Sequence, residues 1–372
     1  MKKMLYLSHV PWGWIKQRPH FIAEKLSNDY EVHVYPLESI RNKQHTTNLG
    51  HNFILKKLLL PLHIKGFSLN AIGTLLYSLI FRTQIHGFND YQYVWITNIW
   101  FYRYIKRFIK PNQILIYDCM DDDLEFPLNK RSTKIQNTIR RLEKELLSRA
   151  NIILFSSRYL SDKVIGRSNL LMDRDKISVI NNAVELPATS QPTNNPEVEK
   201  TLKYIRELSN PIIYIGTIAE WLDFKLLENT LKNNPDLNFV LIGPTEVEIP
   251  DIRRLHYLGR IQRDYIFDIM NEAKALMMPF IVNELIKSVN PVKLYEYIYS
   301  GKPIFVPEYD EMRQFSPYVY SYHNENEFMD LTNMLSTRQL QEKYRREEGE
   351  RFSELNNWES RCNQILKLIN QC

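Results

Sequence analysis

The stretch at residues 277–307, MMPFIVNELIKSVNPVKLYEYIYSGKPIFVP, contains a complete strand, loop, helix and strand pattern. One apolar run ends at Pro279, and apolar residues then recur at helical spacing from Pro291, a residue that suits the first position of a helix. A second apolar run covers residues 303–306. Two buried strands joined by a helix form a βαβ unit, so this stretch predicts a parallel sheet.

The ends of the predicted helix carry the residues that suggest chemistry. Ser288 or Asn290 is predicted to cap its N-terminus, and Gly301 stands where a helix ends in the left-handed conformation. The free N–H groups of such a loop and the helix dipole together favour phosphate. Lys293 would add a charge, and Glu296 could accept two ribose hydroxyls. The alternative is an ordinary capped helix with solvated Lys and Glu side chains.

The same alternation of strands and helices extends outward in both directions along the chain. The predicted strands cover residues 4–8, 31–35, 93–97, 114–117, 152–156, 177–180, 211–215, 238–242, 256–258, 275–278 and 303–306. The predicted helices cover residues 18–27, 100–110, 133–149 and 338–369, with others beginning near Asp223, Asp264, Pro291 and Asp310. Such an alternation is typical of doubly wound α/β proteins.

The predicted fold is α/β, with two Rossmann-like doubly wound domains facing a central cleft. Residues 1–186 form the first domain, and the proline-containing residues 187–200 form a linker without apolar periodicity. Residues 201–350 form the second domain, and residues 351–372 form a C-terminal helix that crosses back to the first. Ligands of such sheets bind at the carboxyl ends of the strands, so the cleft is the expected site.

Charge and composition narrow the class of protein. The 372 residues carry 48 Lys and Arg against 43 Asp and Glu, and 44% of them are hydrophobic, as in a folded globular protein. Residues 1–186 hold 27 basic and 16 acidic side chains, whereas residues 187–372 hold 21 and 27. Three scattered cysteines argue against a disulfide framework and favour the cytoplasm. The two halves therefore differ in charge, which predicts different partners.

Taken with other blocks, the 277–307 stretch resembles the retaining GT-B glycosyltransferases of the family-4 type. The likeness is to a subgroup of cell-surface polysaccharide enzymes that contains a glycosyltransferase of teichuronic-acid biosynthesis. The supporting blocks are HVPWGWIKQRPHFIAEKL (9–26), YDCMDD (117–122), NNAVELP (181–187), IGTIAEWLDFKLL (215–227), FVLIGP (239–244), HYLGR (256–260) and NWESRCNQIL (357–366). The resemblance implies transfer of a hexose-type unit, with retention, from a nucleotide sugar, with a UDP-sugar favoured. It implies a saccharide or lipid-linked saccharide acceptor, and neither a cofactor nor a metal.

The resemblance also implies site residues. The nucleotide sugar would contact Glu296, Ser288, Val289, Asn290, Lys293, Gly216, Thr217, Pro244, Arg260 and Ile261. The catalytic candidates are Glu284, Lys293, Lys225 and His9. The family has two glutamates eight positions apart, but Ser288 stands in the first place, so Glu284 is expected to replace that glutamate in contacting donor-sugar hydroxyls. Each cation is otherwise an ordinary surface charge.

On the N-terminal side, the resemblance places the loop with Trp12, Gly13, Trp14 and Arg18 at the donor and acceptor. The alternative is that both indoles simply pack the loop onto its domain. Asp118, Asp121 and Asp122 follow a predicted strand and are expected to bind acceptor hydroxyls or to shape the loop. The Asp121–Asp123 spacing also suits a metal, which is the less favoured interpretation because GT-B enzymes of this kind need none.

Residues 54–110 combine bulky apolar side chains with most of the basic excess. A basic helix with an apolar face can lie on an anionic leaflet, which predicts a peripheral position at the inner face of the cell membrane. The alternative is that this apolar face covers the protein's own sheet. No nucleic-acid recognition motif is present, so nucleic acid is not an expected partner. Competing functions are a non-catalytic membrane scaffold, an epimerase and a phosphorylase.

Overall fold

The computed structural model describes residues 1–12, 16–39, 52–56, 58–60, 71–186 and 195–372. The chain folds into two compact units. The N-terminal unit comprises Met1–Asn182, Ser288–Asn290 and Trp358–Cys372. The C-terminal unit comprises Ala183–Lys287 and Pro291–Asn357. As predicted, the last helix therefore belongs to the N-terminal unit.

A parallel sheet of eight described strands forms the centre of the N-terminal unit. These strands are β1 (Lys3–Ser8), β2 (Glu31–Ser39), β3 (Phe53–Leu55), β4 (Leu58–Leu60), β5 (Tyr93–Ile96), β6 (Ile114–Cys119), β7 (Ile152–Phe155) and β8 (Ile177–Val179). Their order is β3-β2-β1-β5-β6-β7-β8, with β4 also paired to β2. Strand β2 lies on one side of β1 and β5 lies on the other, so the strand order reverses direction at β1. The carboxyl ends of β1 and β5 therefore form the topological switch point, where such sheets bind ligands.

Helices cover both faces of this sheet. They are α1 (Arg18–Leu26), α2 (Ala71–Gln84), α3 (Ile99–Ile105), α4 (Pro127–Lys130), α5 (Thr133–Arg149), α6 (Arg158–Ser168) and the final helix, Trp358–Gln371. Phe21 of α1 stacks on Trp358 with ring centroids 4.9 Å apart, so the end of the chain completes the layer that α1 begins. On the other face, Tyr77 and Phe81 of α2 are buried in the large apolar core.

The C-terminal unit contains a second parallel sheet, of six strands. These are β9 (Pro211–Ile215), β10 (Asn238–Ile242), β11 (Leu255–Tyr257), β12 (Ala275–Met277), β13 (Ile304–Pro307) and β14 (Tyr320–Tyr322). The order β11-β10-β9-β12-β13-β14 puts a switch point between β9 and β12. The helices are α7 (Pro196–Glu207), α8 (Phe224–Asn233), α9 (Ile266–Glu272), α10 (Glu284–Ser288), α11 (Val292–Ser300), α12 (Glu325–Ser336) and α13 (Arg346–Leu355), so the final helix is α14. Both predicted doubly wound sheets are confirmed.

Several element boundaries differ from the prediction. Helix α7 begins at Pro196, inside the predicted linker, because Asn195 accepts hydrogen bonds from the N–H groups of the first turn. Residues 187–194 of that linker lie outside the described residues. The segment after β13 is a 3₁₀-helix, Asp310–Phe315, and not an α-helix. Two helices, α13 and α14, replace the predicted helix 338–369. Residues 338–345 are not helical, and α13 ends at its C-cap residue Asn356, which has φ −114° and ψ 42°.

Helix α2 has two apolar faces. Its inner face packs on the N-terminal core, but Ile72, Leu75, Leu76 and Leu79 on its outer side remain 70%, 47%, 45% and 52% exposed. Residues 57 and 61–70 of the predicted membrane-facing region lie outside the described residues. Within the described ranges, every helix is too short or too polar to cross a lipid bilayer.

Candidate functional site

Glu296 occupies the second turn of α11 in the C-terminal unit. Its carboxylate is fully buried. Oε1 lies 2.8 Å from Nη1 of Arg263, and Oε2 lies 2.8 Å from Nζ of Lys293. Arg263 precedes α9 and Lys293 is in the first turn of α11, so the cluster lies beside the N-terminal ends of two neighbouring helices. Those ends point toward the carboxyl edge of the sheet, where cations and helix dipoles favour anions.

The two cations decide the charge of Glu296. Burial alone would raise the pKa of this carboxyl, but the charges and hydrogen bonds of Lys293 and Arg263 lower it below its ordinary value. Glu296 is therefore ionised at neutral pH. Arg263 also contacts Glu185, whose Oε2 lies 3.3 Å from Nε and whose side chain is 41% exposed. The cluster thus alternates two cations with two carboxylates.

Three glycines shape the loops at the same edge of this sheet. Gly216 follows β9 and donates from its N–H to the Ile242 carbonyl, while Gly243 follows β10 and donates to the Gly259 carbonyl. Gly243 has φ +142° and Gly259 has φ +73°, conformations that favour glycine. The three loops consequently lie side by side at this edge of the sheet.

The other predicted nucleotide contacts follow the same loops. Thr217 lies next to Gly216 and accepts a hydrogen bond from Tyr214 through its carbonyl. Pro244 is buried behind Gly243, and its carbonyl accepts from the Ile218 N–H. Arg260 and Ile261 follow Gly259, with Arg260 exposed. Lys225 is exposed in the first turn of α8, a helix that packs on the opposite face of the sheet from α11.

The predicted capping of α11 is wrong. Pro291 is the N-cap residue, and it makes no side-chain capping hydrogen bond. The side chain of Asn290 instead accepts from the backbone N–H of Asn182, and the carbonyl of Asn290 accepts from the Asn182 side chain. The Ser288 carbonyl accepts from the Ser157 hydroxyl at 2.6 Å. These partners explain why Ser288–Asn290, including Val289, groups with the N-terminal unit.

Glu284 begins the short helix α10. Its Oε1 lies 2.9 Å from Nζ of Lys287, and its side chain is 45% exposed. Asn283 caps the helix by accepting from the N–H groups of Leu285 and Ile286. Glu284 is thus a surface carboxylate, unlike the buried Glu296, and its predicted role stays a prediction.

In the N-terminal unit, His9 follows β1 at the switch point. Its Nδ1 lies 2.8 Å from Oγ1 of Thr97, which follows β5. The Thr97 hydroxyl also lies 3.1 Å from the Leu7 carbonyl, and its oxygen accepts from the backbone N–H of His9. Burial lowers the pKa of His9 to about 4, with a further contribution from His20. At neutral pH the imidazole is therefore uncharged.

Arg18 and Asp118 form a buried ion pair. The Arg18 and Asp118 side chains are 3% and 0% exposed, with Nη2 and Oδ1 2.9 Å apart. The guanidinium also donates to the Ile180 carbonyl at 2.6 Å. Both side chains therefore hold α1, β6 and the end of β8 together, which favours the loop-shaping alternative for Asp118.

The acidic loop after β6 contains one carboxylate that is ion-paired and two whose pKa values are raised. Asp122 is buried and bound by Arg167 and Lys163. Asp121 and Asp123 are partly exposed, and burial together with their acidic neighbours raises their pKa values to about 6 and about 7. The loop therefore presents two carboxyl groups with raised proton affinity at the strand end. Among the described residues, no group of three His, Cys, Asp or Glu side chains is arranged to hold a metal ion.

Trp12 is only 4% exposed and packs between His20 and Phe53, with ring centroids 4.2 and 5.4 Å away. This position favours the packing alternative for its indole. Gly13 and Trp14 lie outside the described residues.

Arg263 and Glu185 were not among the sequence-based candidates. A single arginine after a strand-end loop looks like any surface charge, and only the packing of α9 against α11 brings it to Glu296. The contact of Asn182 with Asn290 likewise joins positions 108 residues apart, which no local pattern indicates.

No family model matches the chain. It is 28% identical over 222 residues to TuaH of Bacillus subtilis (strain 168), provisionally named a teichuronic acid biosynthesis glycosyltransferase. That match spans 56% of this chain and 54% of TuaH, or about half the length of the relative.

Solved structures match over the full length. Sucrose-phosphate synthase from Thermosynechococcus elongatus has a TM-score of 0.74 at 12% identity, covering 100% of this chain and 99% of that one. Anabaena HepE in complex with UDP-glucose has a TM-score of 0.67 at 12% identity, covering 100% of both chains. With its two doubly wound parallel sheets and these neighbours, the chain has the GT-B fold.

Proposed function

We propose that the chain is a glycosyltransferase that uses a nucleotide sugar, with a UDP-sugar favoured, in the biosynthesis of a cell-surface polysaccharide. The single observation that carries this proposal is the buried Glu296 held by Lys293 and Arg263 at the carboxyl edge of the C-terminal sheet. The GT-B fold, the likeness to TuaH and the UDP-glucose bound by HepE support it.

In this proposal the nucleotide binds to the C-terminal unit. Glu296 accepts hydrogen bonds from the ribose hydroxyls, since an ionised carboxylate has two acceptor oxygens. The backbones of the Gly216 and Gly243 loops line the place of the diphosphate and base. Lys293 stabilises the negative charge that develops on the diphosphate as the glycosidic bond breaks.

The acceptor, a saccharide or lipid-linked saccharide, binds to the N-terminal unit at its own strand edge. Neutral His9 offers a ring nitrogen to a hydroxyl, and Asp121 and Asp123 offer carboxyl groups. The family resemblance implies transfer of a hexose-type unit with retention. Attack from the same face as the departing diphosphate needs no dedicated protein base, so His9 has a binding role here.

The exposed side of α2 supports a peripheral position at the inner face of the cell membrane. Four bulky apolar side chains lie at helical spacing on that side, and the exposed cations Arg82, Arg107 and Lys110 lie on α2 or follow α3, the helix packed beside it. Apolar insertion and attraction to anionic lipids add in such a surface. This position suits a lipid-linked acceptor.

The donor site is tested by isothermal titration calorimetry with UDP, GDP and dTDP. We expect UDP to bind the wild type, and Glu296→Gln to lower its affinity by roughly 10- to 100-fold because two charged hydrogen bonds are lost. Glu228→Gln is the matched control, since Glu228 is an exposed carboxylate paired with Lys232 on α8. Unchanged UDP affinity in Glu296→Gln would refute the site. Acceptor-dependent release of free UDP separates transfer from scaffolding.

A further inference from the structure

Arg263 lies between two carboxylates of different character. Glu296 is fully buried and 2.8 Å away, whereas Glu185 is 41% exposed and 3.3 Å away. The longer distance and greater exposure make Glu185 the weaker partner, because water competes for an exposed ion pair. The guanidinium is itself partly buried, so it is fixed in direction by Glu296 and offers its Nε side to Glu185.

A donor diphosphate needs cations that are fixed beforehand, and the predicted ones fit this need poorly. Lys225 and Arg260 are both exposed, and Lys225 belongs to a helix on the opposite face of the sheet from Glu296. Arg263 and Lys293 are both only 24% exposed and both contact Glu296. A planar guanidinium is also the side chain that best matches phosphate oxygens, which it can bind in pairs.

We propose that Arg263 binds the diphosphate of the nucleotide donor, and that Glu185 occupies the place of that diphosphate in the unliganded chain. This inference rests on the proposed function and deepens it. Glu296 keeps Arg263 in position, the donor phosphate displaces Glu185 from the Nε side, and Lys293 contributes the second charge. Glu185 thereby lowers donor affinity, because the phosphate must first break its ion pair with Arg263.

The two partners of Arg263 therefore predict changes of opposite sign. Arg263→Gln should weaken UDP binding by roughly 10- to 100-fold, because a charged contact to phosphate is lost. Uridine has no phosphate, so its affinity should change by a smaller factor than that of UDP, through the lost contact between Arg263 and Glu296 alone. Glu185→Gln should strengthen UDP binding by roughly two- to fivefold, because the competing exposed ion pair is worth a fraction of a kcal/mol to about one.

Titration calorimetry of UDP and uridine against the intact chain tests these expectations. Glu228→Gln is again the control, because it removes one equally exposed carboxylate, 43% exposed, elsewhere in the same unit. Strengthened UDP binding in Glu185→Gln alone supports the inference, since a merely structural ion pair would not produce it. The inference fails if Arg263→Gln binds UDP as the wild type does, or loses UDP and uridine equally. It also fails if Glu185→Gln and Glu228→Gln behave alike.

The proposed function and this inference fail in distinguishable ways. A wild-type chain that binds none of UDP, GDP and dTDP overturns both. Only the assignment of Arg263 is overturned if the wild type binds UDP, Glu296→Gln does not, and Arg263→Gln binds UDP as tightly as the wild type. Circular dichroism of each variant shows whether the C-terminal unit keeps its fold.

Discussion

Gly243 approaches Gly216 so closely that a Cβ atom on Gly243 would lie 2.0 Å from the Gly216 carbonyl oxygen. The approach brings the loops after β9 and β10 together, and the N–H of Ile218 then donates to the Pro244 carbonyl. The shape of the proposed nucleotide site therefore depends on the absence of a side chain at one position.

Gly243→Ala should destabilise the C-terminal unit by roughly 2 to 4 kcal/mol, because φ +142° is strained for alanine and the new methyl group meets backbone. It should also abolish UDP binding. The control is Gly166→Ala in α6, where a Cβ meets nothing within 4 Å and where alanine favours the helix by about 0.5 to 1 kcal/mol. Thermal unfolding followed by circular dichroism gives the midpoint temperature of each variant. Equal midpoints for Gly243→Ala and Gly166→Ala would contradict the expectation.

Arg18→Met should destabilise the N-terminal unit by about 3 to 5 kcal/mol, because Asp118 would remain buried without its cation. Adding Asp118→Leu should restore most of the loss, since no uncompensated charge then remains. Urea unfolding of the single and double variants measures this coupling. A stable Arg18→Met variant with impaired transfer to the acceptor would instead place Arg18 in the acceptor site.

The contribution of His20 to the stability of the N-terminal unit should be lost as the pH falls, while His9, Asp121 and Asp123 add their own pH dependence in the same range. Burial lowers the pKa of His20 to about 4, so the unfolded chain takes up a proton near pH 6.5 while the folded chain does so only near pH 4. The stability that neutral His20 provides is present above pH 6.5 and is lost progressively down to pH 4, by about 3 kcal/mol. Relative to the wild type, His20→Gln should lose less stability between pH 6.5 and pH 4, as measured by the urea midpoint at each pH. A parallel profile in the variant would assign the pH dependence to other groups.

Leu75→Ser combined with Leu76→Ser should lower binding to anionic phospholipid vesicles by roughly tenfold or more, because two exposed apolar side chains on α2 no longer insert. Leu355→Ser is the matched control, since Leu355 is 67% exposed on the C-terminal unit. Vesicle sedimentation with anionic and with neutral lipid measures the effect. Equal binding by the wild type and the double variant would leave α2 with no membrane role.

Hydrophobic periodicity predicted the sheets well because buried parallel strands are continuous apolar runs. The strands Pro211–Ile215 and Asn238–Ile242 were predicted residue for residue, as was the helix Thr133–Arg149. The short strand Tyr320–Tyr322 was missed, although the equally short strands Ile177–Val179 and Ala275–Met277 were predicted.

The candidate site was less predictable, because it depends on tertiary contacts. Local sequence identified Glu296 and Lys293, which share one helix, but Arg263 reaches them from another element. Capping was misjudged for the same reason, since Asn290 finds partners at Asn182 that a local rule does not anticipate. Sequence rules describe neighbours along the chain, and this site depends on neighbours in space.

The stacking of Phe21 on Trp358 bears on how the protein is made. The first residues of the N-terminal unit leave the ribosome long before residue 358, and domains usually fold as they emerge. Here the layer containing α1 cannot be completed until α14 has been synthesised. In nascent chains that end before residue 358, Phe21 therefore lacks the ring on which it stacks in the finished protein.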